Sequence, residues 1–154
     1  MGDLFNLHAL IERQRTSHDG IRKAFSAVER EIFNSESRGN GSLIRTALVH
    51  LETTLNAHFA EELQGGCLEE AVCLVPRLSK ELSRIEKERA TISERIEQLI
   101  ERAGGYAAED FQSSFRRFAV LLRGHEAAEN WIIQSAFGGD DVGTANRQTA
   151  SEFE

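Results

Sequence analysis

The sequence predicts an all-α protein folded as an antiparallel, up-down-up-down four-helix bundle. The 154-residue chain holds one proline and 7% aromatic residues, and its long stretches of Leu, Ile, Ala, Glu and Arg favour helix over sheet. Apolar residues recur at steps of three and four along four segments, the spacing of one helix face. Glycine and small polar residues separate those segments at "SESRGNGS" (35–42), "QGG" (64–66), "AGG" (103–105) and "FGGDDVG" (137–143), the composition of helix breaks.

The first segment presents Leu7, Ile11, Gln14, His18, Ile21, Phe25, Val28 and Ile32 on one face, and the second presents Ile44, Leu48, Leu51, Leu55, His58 and Glu62. The third offers Leu78, Leu82, Ile85, Arg89, Ile92, Ile96 and Leu99. It follows Pro76, which suits a first helical turn because the missing N–H would be unsatisfied there anyway. The fourth offers Phe111, Phe115, Phe118, Leu122, His125, Glu129 and Ile132. Helices of roughly 25 to 30 residues joined by short connections favour antiparallel neighbours. Residues 1–137 are thus expected to form one bundle, and the aperiodic polar stretch 138–154 a flexible tail,.

The net charge of −7, with 18 basic residues interspersed among 25 acidic ones, argues against a nucleic-acid partner, which needs clustered Lys and Arg. No stretch approaches the roughly 20 apolar residues of a membrane span, and no signal-peptide pattern opens the chain. A cytoplasmic protein is expected, without a membrane partner. Cys67 and Cys73 are too few for a disulfide framework and are expected to stay reduced,.

Each seam is interrupted by polar residues at matched depth. His58 and Glu62 lie 14 and 18 residues after Ile44, and His125 and Glu129 lie 14 and 18 residues after Phe111. His18 lies 11 residues after Leu7, and Arg89 lies 11 residues after Leu78. The halves read as two copies of one plan, with the polar residues in a single core layer. Two buried carboxylates facing each other require positive charge between them, and a metal cation supplies it. Side chains at i and i+4 project from one helix face, so His58 with Glu62, and His125 with Glu129, can act as paired ligands, with His18 adding a nitrogen. Imidazole and carboxylate suit iron, zinc or manganese, and the lack of a cysteine cluster argues against a thiolate zinc site or an iron–sulfur cluster.

The order His18, "HFAEE" with His58 and Glu62, then "HEAAENWII" with His125 and Glu129 resembles the hemerythrin family and its bacterial HHE cation-binding relatives. "SHDGIRKAF" around His18 is similar to the family's first motif, and the resemblance spans roughly residues 10 to 135. It implies a non-haem iron centre of two ions with bridging carboxylates, ligated by His18, His58, Glu62, His125 and Glu129. The implied partner is a small diatomic molecule, dioxygen or nitric oxide, held for storage, delivery or sensing of oxygen, nitric oxide or iron. An oxidoreductase acting on peroxide or nitric oxide, and a metal-free interaction module, are the alternatives.

The third segment departs from the family pattern, because it contains no histidine and places Arg89 where one is expected. A protonated guanidinium cannot ligate a metal. Glu86 or Glu88 could reach inward instead, Arg89 could point outward and leave an open position, or Arg89 could pair with Glu62 or Glu129 and stand in for one ion. The first two outcomes together are preferred. His8 and His50 are read as peripheral, and Gln14 either orients the His18 imidazole or is an end-of-bundle polar residue. Trp131 and Tyr106 are read as packing residues. "HEAAE" is not read as a metalloprotease motif, because its second histidine is missing.

Overall fold

The computed structural model describes residues 2–33, 41–103 and 108–138, which are all-helical and contain no strand. Four long helices make up the body: α1 (Gly2–Phe33), α2 (Gly41–Leu63), α4 (Ser79–Ala103) and α5 (Ala108–Phe137). A short helix, α3 (Cys67–Leu74), and a 3-10 turn at Pro76–Leu78 connect α2 to α4. The sequence reading passed directly from "QGG" to Leu78 and did not anticipate α3. Its eight residues, "CLEEAVCL", offer barely two turns of periodicity, too few to stand out from a connection.

Local chemistry explains the breaks. Gly65 adopts φ +86, the left-handed conformation that ends α2 and that glycine alone enters without a steric penalty. Val75 N–H closes α3 by donating to the Ala71 carbonyl at 2.9 Å, and Leu78 N–H donates to the Val75 carbonyl at 3.0 Å. Pro76 opens the 3-10 turn, one step ahead of α4. The expected tail from 139 onward, Tyr106 with its neighbours 104–107, and residues 34–40 lie outside the described residues.

The expected seams are the buried faces. Every seam residue of α2 and α5 is buried, and only Leu7, Ile11 and Leu82 on the other two are partly exposed. α1 packs on α2, α4 on α5 and α2 on α4, while α3 packs chiefly on α5. Contacting pairs include Ser17 with His58 and, between α4 and α5, Glu88 with His125 and Arg102 with Ser114. Between α1 and α5, Gln14 meets Glu129, the Phe25 and Phe115 rings stack at 5.1 Å, and the Arg116 guanidinium lies 5.6 Å from the Phe33 ring centre.

The core is divided. A large apolar cluster runs from Ile21 to Ile32 on α1, through Ile44 to Phe59 on α2, and on to Ile92–Ala103 and Phe111–Leu122. A smaller one gathers Leu68 and Ala71 of α3 with Leu78, Ile85 and Ile132. The polar layer lies between them, so α3 closes one end of the bundle over it. Trp131, expected to pack, is instead 47% exposed. It follows Asn130 and precedes the buried Ile132, so helical geometry turns it away from the seam.

Candidate metal centre

The matched depth of the polar residues places all of them together. Gln14, His18, His58, Glu62, Arg89, His125 and Glu129 are the buried polar side chains among the described residues, and none is more than 9% exposed. His8 and His50 are exposed and take no part.

Glu129 is the centre of the arrangement and is fully buried. Its Oε2 accepts from Gln14 Nε2 at 2.8 Å and lies 2.8 Å from His18 Nε2 and 3.1 Å from His58 Nε2. Its Oε1 lies 2.7 Å from His125 Nε2. Glu62 completes the layer, with Oε1 3.0 Å from His58 Nε2 and Oε2 3.4 Å from Arg89 Nη2. Two groups of possible ligands result, His18–His58–Glu129 and Glu62–His125–Glu129, each with its donor atoms within 4.8 Å of one another. They share Glu129, one oxygen turned to each group.

Not all of these short contacts are hydrogen bonds. His125 Nε2, Glu129 Oε1 and both oxygens of Glu62 are buried without a hydrogen-bond partner, as is Arg89 Nε. Distance alone would pair His125 with Glu129, but the oxygen lies off the N–H direction, and direction decides a hydrogen bond. Two donors each about 2.1 Å from a shared ion and about 90° apart would lie about 3.0 Å from each other with lone pairs turned off their joining line. The orphaned atoms of the Glu62–His125–Glu129 group are ones that a cation could satisfy and that a self-satisfied polar network would not leave,.

The outer nitrogens of the same rings support this. His125 Nδ1 faces Glu88 Oε2 at 3.0 Å, and His58 Nδ1 faces Ser17 Oγ at 2.7 Å. With Nδ1 donating outward, the neutral tautomer of each ring turns its Nε2 lone pair toward the centre, as a metal-ligating histidine does. The bland alternative keeps both rings protonated. Burial alone would lower the His58 pKa, but Glu129 and Glu62 more than offset it and raise it to about 10. For His125, burial opposes and Glu129 and Glu88 raise it. Burial pushes Glu129 up, yet the imidazoles of His125, His18 and His58 hold it far below the carboxylate range. Without an ion, the two imidazoles hold their protons more tightly than free ones.

Arg89 turns inward and meets Glu62, and Glu86 is exposed. Neither preferred sequence outcome describes Arg89: it does not snorkel outward, and Glu88 reaches the outer edge of His125 rather than the ligand positions. The reason is electrostatic, since the second oxygen of the buried Glu62 carboxylate, whose first faces His58, draws in the one guanidinium on the facing seam,. Gln14 takes its orienting role, bonding Glu129 and lying 3.1 Å from His18 Nε2. Ser17 and the outer position of Glu88 were missed, although both flank seam positions, where an outer partner of a seam histidine must sit. Burial and the Glu62 charge push the Cys67 thiol up to about 12; Cys67 is free and buried, and Cys73 is free and exposed.

No family model, curated protein or solved structure matches this chain. Among the described residues no helix is long and apolar enough to cross a membrane.

Proposed function

We propose that the chain is a hemerythrin-like, antiparallel up-down-up-down bundle that holds two non-haem iron ions and binds dioxygen or nitric oxide. The observation that carries this reading is the Glu129 carboxylate shared between two three-residue donor groups, the disposition of a bridging ligand in carboxylate di-iron bundles. The antiparallel run is supported by pairs whose numbers fall on one helix as they rise on the next, such as Glu88 with His125 and Arg102 with Ser114.

Iron held there supplies reversible electron transfer to a bound diatomic ligand. The chain's own residues do the rest. Gln14 donates to Glu129 and fixes its rotamer, while Ser17 and Glu88 fix the tautomers of His58 and His125. Ile21, Leu55, Ile92 and Leu122 belong to the apolar cluster beside the layer and exclude water from it.

Arg89 favours a second reading. It adds one positive charge to a layer that holds Glu62 and Glu129, so a single divalent ion in the His18–His58–Glu129 group leaves far less excess buried positive charge than two ions would,. Visible spectra of the reduced, iron-supplied protein before and after air or nitric oxide test the function. A charge-transfer band that develops with the gas, and is absent from Glu129→Gln, is expected. A spectrum indifferent to both gases contradicts ligand binding by iron.

A further inference from the structure

A second site stands apart from the polar layer. Between α4 and α5 a cavity of about 260 Å³ is lined by Arg95, Arg102 and Arg117, with no acidic residue in the lining among the described residues. Buried Leu99 and Phe118 give it an apolar base, and Arg102 Nη1 donates to Ser114 Oγ across the helix gap at 2.7 Å.

This concentration of charge runs against the rest of the chain, whose net charge is −7. Helical spacing produces it. Arg15, Arg22 and Arg84 each pair with a carboxylate three or four positions away. Arg95, Arg102 and Arg117 have none at those positions, and among the described residues none of the three makes an ion pair. Three guanidinium groups around one cavity repel one another, and a bound anion relieves that repulsion.

We propose that this cavity binds a small organic phosphate, with the phosphate on the three arginines and an apolar portion over Leu99 and Phe118. A tetrahedral phosphate dianion offers three terminal oxygens to forked donors arriving from both helices. A carboxylate carries half the charge and offers its two oxygens in one plane, a poorer match to donors arriving from both helices. The Ser114 bond holds Arg102 in place without consuming its remaining N–H groups.

Calorimetric titration of the purified full chain with phenyl phosphate, inorganic phosphate and benzoate tests the proposal. Saturable binding is expected, at least about fivefold tighter for phenyl phosphate than for the other two, and weaker at high salt. Arg95→Gln and Arg117→Gln should each weaken it about fivefold or more, whereas Arg45→Gln, the same charge change on α2 outside the cavity, should alter it less than about twofold. Four results overturn the proposal: no saturable binding at about 10 mM, equal loss in Arg45→Gln, benzoate or inorganic phosphate binding as tightly as phenyl phosphate, or binding indifferent to every arginine. The last would assign the anion to the metal centre instead.

Discussion

Arg89 Nη2 lies 3.4 Å from Glu62 Oε2, and both side chains are buried at the level of the candidate ligands. The contact ties α2 to α4 through a seam position where the first and second halves of the chain differ in kind, His18 on one side and Arg89 on the other. It also makes Arg89 and a metal ion rivals for the same carboxylate.

Removing the guanidinium should expose that rivalry. Arg89→Met leaves the buried Glu62 with His58 as its remaining partner, which is expected to destabilise the metal-free protein by about 1–3 kcal/mol. Added iron should restore much of that loss, because the ion then compensates Glu62. Chemical denaturation with and without metal measures both; an equal loss in the two conditions would separate Glu62 from the metal.

Arg89→His should restore a nitrogen donor at the matching depth of the second half. An increase of roughly tenfold or more in affinity for the more weakly held ion is expected, since a ligand replaces a charge competitor. Competition with a chromophoric chelator reads it.

Glu88 meets the outer nitrogen of His125 at 3.0 Å and, on its other oxygen, Arg84 at 3.7 Å, and it is partly exposed. Glu88→Gln should therefore spare the fold while lowering metal affinity about 10–100-fold, the usual cost of losing the partner that orients a ligating histidine. A variant that binds metal as tightly as the parent would show that His125 is not held for ligation.

The two glutamates should differ in their consequences. Glu62 belongs to one donor group and Glu129 to both, so Glu62→Gln is expected to lose one ion and Glu129→Gln both. Equal loss in the two variants would contradict a shared carboxylate.

Acidity gives a further check on the metal-free protein. The His58 pKa, ordinarily 6.5, is raised to about 10 in the fold, so its contribution to stability is complete below 6.5 and lost as pH rises through about 10. Glu129 works in the opposite sense: its folded pKa is depressed from 4.5, so its contribution persists down to strong acid. Chelator-treated protein should therefore lose Tm between about pH 7 and pH 10, while loaded protein should hold it, because the ion replaces the proton. A flat metal-free profile over that window would remove the protonated His58.

The regular parts of the molecule were legible because long helices repeat their pattern. The seams from Ile44 to Glu62 and from Phe111 to Ile132 are buried without exception, and equal spacing from seam start to His58 and to His125 brought those residues into one layer. What escaped was short or depended on rotamers. α3 spans eight residues, too few for periodicity, yet it supplies Leu68 and Ala71 to the apolar cluster closing the bundle end. Arg89 has a long side chain whose direction is set by the buried charge of Glu62 rather than by its own position. Ser17 and Glu88 sit one place off the seams, where a helical pattern marks a boundary but not the atom a side chain will meet.

The most direct measurement is the number of metal ions per chain, by elemental analysis of protein expressed with iron supplied and purified without chelator. Glu129 shared between two donor groups leads to a value near two, falling toward zero in Glu129→Gln. A value near one would mean that Arg89 has taken the place of an ion beside Glu62, and a value near zero that the buried histidines and glutamates form a protonated network without metal; either would contradict the dinuclear centre.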